Sequence, residues 1–156
     1  MEIKKVLVLY KQSSYKHFFL NRSDGHPFHQ EPIAKRFIKT HNVHYQTLAK
    51  VEAFFKSYDI PYEKKLRGRK IDFSIYDLIV TVGGDGTFLE GAGQVKAQLM
   101  LGINSDPQWS VGRFCTAHDN NFSEIILKVL NGSYEGRSLN RMKIYFKQGK
   151  CLEYNV

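Results

Sequence analysis

The chain contains few cysteines and no long apolar run. Its 156 residues include two cysteines, Cys115 and Cys151, whose separation is not a paired spacing. This scarcity argues against a disulfide framework or a thiolate zinc site and favours a reducing compartment. No apolar stretch approaches the roughly 20 residues of a membrane helix, and Met1–Tyr10 shows neither a secretory core nor a transit peptide. We therefore expect a soluble, cytoplasmic protein without a membrane partner.

Negative charge is also in short supply. Lys and Arg number 23 against 15 Asp and Glu, which leaves a net charge of +8. An excess of positive charge favours anionic partners such as nucleotides, nucleic acid or acidic lipid, or it serves solubility. Basic and aromatic residues do not interleave in a compact stripe, so we expect no specific nucleic-acid partner. The densest basic run, Lys64 to Lys70, is interpreted as a solvated loop, with phosphate steering as the alternative.

Strand-like and helix-like segments alternate along most of the chain, which favours an open α/β fold with a mostly parallel sheet. A length of 156 residues with 42% hydrophobic residues fits one domain, or one domain and part of another. The predicted strands are Val6–Tyr10, Tyr62–Leu66, Tyr76–Val82 and Leu99–Asn104, and the predicted helices are Val43–Tyr58, Thr87–Val95 and Asn121–Asn131.

Two of the predicted helices carry clear apolar faces. The face of the first helix consists of Leu48, Val51, Phe55 and Tyr58. The buried stripe of the last helix consists of Phe122, Ile125, Ile126, Val129 and Leu130. Asn121 and Glu124 resemble a capping box at the start of that helix, and Gly132 stands where a C-terminal cap belongs.

The regions on either side of this alternating pattern read differently. Lys11 to His41 is polar and irregular, which predicts a long loop interrupted only by a short helix around Ile33–Ile38. After Tyr134, apolar and polar residues alternate through Met142 to Lys147, and Cys151 to Val156 begins another strand, which predicts a β-hairpin. We therefore divide the chain into an α/β domain, residues 1–137, and the opening strands of an apparently truncated second β domain, residues 138–156.

The most informative motif follows the third predicted strand, where the apolar run ends in Gly83-Gly84-Asp85-Gly86-Thr87. Its glycines permit a tight turn that a ligand can approach closely. A helix beginning there would aim free N–H groups at a phosphate or another anion. Asp85 opposes simple phosphate binding, but it suits a carboxylate that takes a proton or holds a metal ion. The alternative is a plain strand-to-helix turn with Asp85 as its N-cap.

Ligands of parallel α/β sheets bind beyond the carboxyl ends of the strands. We therefore expect the glycine turn, the loop after Asn104 and the loop after Tyr10 to meet at one edge. The loop after Tyr10 begins with Lys11, Ser13 and Ser14, which suit phosphate contacts but equally an ordinary polar loop.

Four further residues are functional candidates. His26 and His29 have no carboxylate or cysteine partner nearby in sequence, so they are interpreted as exposed side chains rather than metal ligands. Cys115 has no histidine in an activating relation, which favours a small buried residue over a nucleophile. Trp109 suits either stacking on a base or covering the core, and we expect the core.

These motifs resemble the NAD kinase family. Gly83 to Leu89 is similar to that family's glycine-aspartate signature, and Leu101-Gly102-Ile103-Asn104 is similar to its next conserved strand, at the expected distance. Ser105-Asp106-Pro107 and the segment Ser110 to Cys115 resemble the mitochondrial and plant NADH-kinase branch. The resemblance is specific between Asp77 and Cys115 and consists mainly of pattern elsewhere.

The resemblance implies a Rossmann-like nucleotide-binding domain that transfers the γ-phosphate of ATP to the 2′-hydroxyl of the adenosine ribose of NAD or NADH. It implies Asp85 as the catalytic carboxylate, Mg²⁺ or another divalent cation as cofactor, and a homo-oligomeric full-length protein. It implies no particular protein ligand for the metal ion. The nucleotide-binding residues that it implies are Gly83, Gly84, Gly86, Thr87, Phe88, Asn104 and Asp106.

The chain also departs from the family. It lacks the Asn-Glu or Asn-Asp motif and the Thr-Gly-Ser-type segment of the second, β-rich domain, so we expect the isolated chain to be inactive. Two alternatives stay open. One is a non-catalytic nucleotide-binding module. The other is a relative of the diacylglycerol and sphingosine kinases, which share Gly-Gly-Asp-Gly-Thr but usually continue with an Asn-Glu pair that is absent here.

Overall fold

A computed structural model describes residues 3–20, 32–145 and 151–154. Its centre is a five-stranded sheet in which every neighbouring pair of strands is parallel, in the order β2-β1-β3-β4-β5. The strands are β1 (Val6–Tyr10), β2 (Tyr62–Leu66), β3 (Leu78–Gly83), β4 (Leu99–Asn104) and β5 (Ala117–His118). The predicted α/β fold with a parallel, Rossmann-like sheet is confirmed.

Helices cover both faces of this sheet. The helices α1 (Pro32–Ser57) and α3 (Phe122–Leu130) pack on one face, and α2 (Asp85–Ala92) lies on the other, where Gly91 approaches Leu9 and Thr81. The two central strands β1 and β3 are therefore buried on both sides, which explains their continuous apolar sequences. Strand β2 lies at the edge of the sheet, and its sequence is correspondingly polar.

The first helix is longer than the sequence predicted. It begins at Pro32, so the prediction of a loop to His41 with only a short helix at 33–38 is wrong. Proline is compatible with a first helical turn, because the N–H group that it lacks would have no intrahelical partner there. The buried residue of this added part is Ala34, whose small side chain gives little signal in a hydrophobic pattern. Residues 21–31, with His26 and His29, lie outside the described part.

The apolar face of α1 is confirmed for Leu48, Val51 and Phe55, which are buried against the sheet. It is wrong for Tyr58, whose side chain is 52% exposed. The helix ends at Ser57, and Asp59 adopts a left-handed backbone conformation (φ 51°) that turns the chain away. The N–H of Tyr58 still donates to the carbonyl of Phe54 at 3.2 Å, but its side chain lies at the exposed end of the helix.

Of the two predicted ends of α3, the C-terminal cap is confirmed and the N-terminal capping box is wrong. Gly132 has the positive φ of a C-terminal cap, and the N–H of Ser133 donates to the carbonyl of Lys128 at 2.9 Å. The capping box is wrong, because the side-chain oxygen of Asn121 accepts from the N–H of His118 instead of from the helix. This bond ties the helix start to β5, a two-residue strand too short to give an alternating pattern.

Strands β6 (Met142–Tyr145) and β7 (Cys151–Tyr154) pair antiparallel, which confirms the hairpin. Its turn, residues 146–150, lies outside the described part. Just before β6, the Arg141 guanidinium donates to the carbonyls of Ala92 and Val95, at 3.2 and 2.7 Å. A cation at the carboxyl end of a helix complements its dipole. The division into two domains at residue 137 stays a prediction.

Candidate functional site

The candidate site lies at the carboxyl edge of the parallel sheet. The register places Tyr10 beside Val82, and Gly83 beside Asn104. The N–H of Ser105 then donates to the carbonyl of Gly83 at 2.8 Å. The three loops expected to meet at one edge therefore do meet. The strand order reverses between β1 and β3, and sheets of this order bind ligands in the crevice at that point.

His44 on α1 joins two of these loops. Its Nε2 lies 2.8 Å from the carbonyl oxygen of Lys11, and its Nδ1 lies 2.8 Å from the hydroxyl of Ser105. Because a carbonyl can only accept, Nε2 carries the proton and Nδ1 accepts from Ser105. Burial lowers the pKa of His44 to about 4, so the ring is neutral at neutral pH.

His44 was missed from the sequence, although a signal was present. It lies four residues before Leu48 and seven before Val51, on the apolar face of α1. A histidine buried at such a position needs two polar partners. Those partners are the loops of the candidate site.

The glycine turn leads directly into α2. Gly84 is the N-cap residue, in extended backbone conformation, and Asp85 is the first helical residue rather than the N-cap. The N–H groups of Thr87 and Phe88 both point to the carbonyl of Gly84, at 2.9 and 3.2 Å. The first N–H groups of the helix have no intrahelical partner and form the positive end of its dipole, which favours an anion.

Two of the three glycines of this turn, Gly83 and Gly84, are closely packed against side chains of the chain itself. A Cβ at Gly83 would overlap the hydroxyl of Thr87, and a Cβ at Gly84 would lie 2.7 Å from Oγ of Ser110. Gly86 is exposed, and a Cβ there would lie 3.2 Å from the Arg67 guanidinium. Of the three glycines, Gly86 therefore presents the most open backbone, and nucleotide contact by the turn stays a prediction.

Asp85 anchors the loop that follows β4. Its Oδ2 accepts from the N–H of Arg113 at 2.9 Å, and its Oδ1 accepts from the N–H of Phe114 at 2.8 Å. Beside this contact, the rings of Phe88 and Phe114 stack with their centroids 5.7 Å apart and their planes within 6°. A carboxylate offers about four acceptor positions. Each oxygen of Asp85 thus keeps capacity for a second hydrogen bond.

Asn104 shapes the same loop from its other end. Its side-chain amide donates to the carbonyl of Ser110 at 2.8 Å and accepts from the N–H of Asp106 at 3.1 Å. Gly112, at a positive φ of 61°, lies so close to the Asn104 side chain that a Cβ would overlap it. Asn104 and Phe88 therefore act within the chain as supports of the loop, and their contact with a nucleotide stays a prediction.

The Asp106 carboxylate and the Lys11 ammonium interact electrostatically at the carboxyl edge of the sheet. Asp106 is only 4% exposed, and its carboxylate makes no hydrogen bond with any residue in the described ranges. Burial lowers the pKa of Lys11, the Asp106 carboxylate partly offsets this, and Arg67 adds to the lowering. The site therefore holds a carboxylate with open acceptor capacity near Lys11, and Lys11 is in turn near Arg67.

Arg67 reaches the glycine turn from β2. Its backbone N–H donates to the carbonyl of Tyr10 at 2.9 Å, and its Nη1 donates to Oγ1 of Thr87 at 3.4 Å. Its Nε pairs with Glu90 at 3.6 Å. The interpretation of residues 64–70 as a solvated loop is wrong for this part, because the run begins inside β2 and brings Arg67 to the site.

The remaining candidate residues from the sequence lie either in buried, supporting positions or at the surface. Burial, together with the nearby Asp85, raises the pKa of Cys115 to about 11, so it is a half-buried thiol and not an activated nucleophile. Ser13 is buried with its hydroxyl 2.6 Å from Nδ1 of His41, whereas Ser14 is exposed. Trp109 does not cover the core: it is 48% exposed, and the Arg36 guanidinium lies 4.1 Å from the ring centroid.

The described ranges contain no cluster of three or more His, Cys, Asp or Glu able to hold a metal ion. Mg²⁺ is commonly held by one or two carboxylates together with substrate phosphates. The open carboxylate of Asp106 fits one such ligand. No helix in the described ranges is long and apolar enough to cross a membrane.

Comparison with known proteins gives distant relatives of one kind, although no family model matches the chain. The chain is similar to a probable NADH kinase of Oryza sativa subsp. japonica, 32% identical in a match that covers 44% of this chain and 26% of the rice protein. It is also similar to mitochondrial NAD kinase 2 of Xenopus tropicalis and of Homo sapiens, each 31% identical over 46% of this chain. Those matches cover only 18% and 17% of the two relatives.

Proposed function

We propose that this chain, whose resemblance to the NAD kinase family the comparisons confirm, carries the nucleotide-binding part of a kinase that phosphorylates NAD or NADH. The reaction transfers the γ-phosphoryl group of ATP to the 2′-hydroxyl of the adenosine ribose and yields NADP(H). The observation that carries the proposal is the position of Asp85. It stands at the amino end of α2 and at the carboxyl edge of a parallel sheet, with Lys11 and Arg67 on the same edge.

The proposed role of Asp85 is to accept the proton of the attacking hydroxyl. A ribose hydroxyl is a poor nucleophile until a positioned acceptor takes that proton. Asp85 is held by two backbone N–H groups, which fix its orientation and leave acceptor positions open. Proton transfer by such a group contributes about 10²- to 10⁴-fold in rate.

The phosphate groups need positive charge and alignment, because phosphoryl transfer depends mainly on these two factors. The first N–H groups of α2, Arg67 and Lys11 supply positive charge at this edge. In this proposal the carboxylate of Asp106 would offer one ligand to Mg²⁺ beside the substrate phosphates, and the ion would supply charge neutralisation. Cytoplasmic location and a homo-oligomeric state belong to the same proposal.

A non-catalytic nucleotide-binding module is the second candidate. Both oxygens of Asp85 already accept backbone hydrogen bonds from the loop after β4, so a purely supporting role accounts for this contact. The two candidates share nucleotide binding and differ only in turnover.

The experiment that separates them follows NADP(H) formation from ATP, Mg²⁺ and NAD or NADH. It uses the protein purified from its native source beside the 156-residue chain. Product formation by the native protein supports the kinase. Binding of ATP and NAD without any product supports the binding module, and phosphorylation of a diacylglycerol or a sphingoid base in parallel reactions would support the lipid-kinase alternative. We expect the 156-residue chain to be much less active than the native protein, because it lacks the second-domain motifs that the resemblance implies. Holding donor and acceptor together contributes roughly 7–11 kcal/mol toward lowering the activation barrier.

A further inference from the structure

A cavity of about 330 Å³ opens on the β2 side of the glycine turn. It lies beyond the carboxyl ends of β1 and β2, between the chain that leaves β1 and the end of β2. Its volume falls within the range of small-molecule sites. The residues that line it are Gln12, Ser14, His17, Phe18, Leu66 and Arg67.

The lining of this cavity suits an anion. Gln12, Ser14, His17 and Arg67 all bear N–H or O–H donors, and none of the described lining residues bears a carboxylate. Apolar groups from Phe18 and Leu66 complete the wall. The Phe18 ring is 54% exposed, so it is not committed to the core.

One guanidinium belongs both to the cavity and to the glycine turn. Arg67 lines the cavity, while its Nη1 donates to Thr87 and lies where a Cβ on Gly86 would meet it at 3.2 Å. Glu90 holds Nε from the helix side. These contacts involve Nη1 and Nε, and a guanidinium has five N–H donors, so the remaining donors are oriented in advance for a ligand.

We propose that this cavity binds the di- or triphosphate group of a nucleotide, with Arg67 linking the bound phosphates to the amino end of α2. A planar guanidinium pairs with phosphate oxygens in a bidentate manner, which suits it to this task. The assignment rests on the proposed function, which supplies nucleotides as the ligand class. Two sources share this chemistry: the triphosphate of ATP and the pyrophosphate of NAD.

The test is calorimetric titration of the 156-residue chain with sodium tripolyphosphate, in the original chain and in two single variants. Arg67→Gln removes the guanidinium at the cavity. Arg69→Gln is the matched control, because it makes the same charge change two residues away at an exposed position that does not line the cavity. We expect Arg67→Gln to weaken tripolyphosphate binding on the order of 10- to 100-fold, and Arg69→Gln to change it about twofold or less.

A second variant guards against loss of the fold. Ser14→Trp places a bulky side chain at the exposed mouth of the cavity and leaves Arg67 in place. It should also abolish tripolyphosphate binding while the thermal midpoint is retained. Binding that is absent from the original chain, or unchanged in Arg67→Gln and in Ser14→Trp, overturns the proposal.

Titrations with ATP and with NAD identify the source of the phosphates. If Arg67→Gln weakens only ATP binding, the donor occupies the cavity, and if it weakens only NAD binding, the dinucleotide does. Arg67-dependent tripolyphosphate binding in a native protein that forms no NADP(H) would refute the proposed function alone. NADP(H) formation with Arg67-independent binding would refute this assignment alone.

Discussion

The two sides of the glycine turn are built differently. On the β4 side, the loop after Asn104 is tied down through Asp85, through the stacked rings of Phe88 and Phe114, and through the side chain of Asn104. On the β2 side the turn meets Arg67 and an open cavity with hydrogen-bond donors. The difference teaches that fixing the geometry of the turn and, in our proposal, binding an anion are tasks of opposite sides. The β4 side fixes the turn, whereas the β2 side leaves it accessible through the cavity.

The largest effect is expected from Asp85→Asn, which acts on the boundary between the two sides. In a protein with kinase activity we expect kcat to fall by about 10²- to 10⁴-fold. The fold should survive with some loss of stability, because an Asn amide nitrogen would face one of the two N–H donors that Asp85 now accepts. Steady-state kinetics and urea unfolding measure the two effects separately.

Asp119→Asn is the control for this variant, since Asp119 pairs with Lys50 on the surface. It should leave kcat unchanged. Near-normal kcat in folded Asp85→Asn protein would reduce Asp85 to a support of the loop and favour the binding module.

His44→Leu should be the most destabilising of the single variants of the supporting framework. It leaves the carbonyl of Lys11 and the hydroxyl of Ser105 without their buried partner. Each unsatisfied group should lower the free energy of unfolding by about 1–3 kcal/mol. Urea unfolding measures the change, with His17→Leu as the control because His17 is exposed. Equal stabilities of the two variants would show that His44 does not join the loops.

The same histidine predicts a dependence of stability on pH. Its pKa in the folded protein is about 4, below the ordinary value of 6.5, so the unfolded chain binds the proton more readily between those values. The contribution of neutral His44 to the free energy of unfolding should therefore be complete above pH 6.5. It should fall by about 3 kcal/mol between pH 6.5 and pH 4, and this group should cause no further loss below pH 4.

Unfolding curves of the original chain and of His44→Gln between pH 4 and 7 measure this term. The difference between the two proteins should shrink as the pH falls. A constant difference would mean that His44 titrates normally in the folded state.

Gly84→Val tests how tightly the β4 side is packed. Its side chain would meet Oγ of Ser110, and overpacking of this kind costs about 1–3 kcal/mol. Trp109, the single tryptophan, lies in the displaced loop, so its fluorescence should change together with the stability. Gly136→Val, at an exposed position, serves as the control. Unchanged stability and fluorescence would show that the loop does not pack on Gly84.

Thr81→Val should have the smallest effect, with the opposite sign. The hydroxyl of Thr81 is fully shielded from solvent and has no hydrogen-bond partner in the described ranges. Replacing it by a methyl group removes an unsatisfied polar group at nearly equal volume, so we expect a gain of up to about 1 kcal/mol. Thr47→Val is the control, because the Thr47 hydroxyl donates to the carbonyl of Val43 and its loss should not stabilise. A loss of stability in Thr81→Val would contradict the conclusion that the buried Thr81 hydroxyl has no hydrogen-bond partner.

The sequence predicted those helices and strands whose burial produces a recognisable pattern of apolar residues. Strands β1, β3 and β4 read as apolar runs because both of their faces are covered, and parallel strands bring their carboxyl ends to one edge. The meeting of the glycine turn with the loops after Tyr10 and Asn104 followed from that topology. The added part of α1 gave no such pattern, since its buried residue is the small Ala34.

The missed parts of the site depend on contacts that sequence spacing does not encode. The bonds from the backbone of Arg113 and Phe114 to Asp85 involve N–H groups, which every residue except proline possesses. Arg67 was hidden in a run of like charges, and its position became clear only when β2 paired with β1. His44 carried a readable signal, but its partners lie 33 and 61 residues away along the chain.

The central claim is that this sheet edge binds nucleotide phosphates from the β2 side of the glycine turn. Its most direct test is a titration of the ¹⁵N-labelled chain with ATP, observed through the backbone amide signals. The account predicts that the largest shifts fall on Gly86, Arg67 and the residues from Lys11 to Ser14, while the N–H groups of Arg113 and Phe114 stay protected from solvent exchange by their bonds to Asp85. Shifts confined to the loop after β4, or no shifts at this edge at saturating ATP, would contradict it.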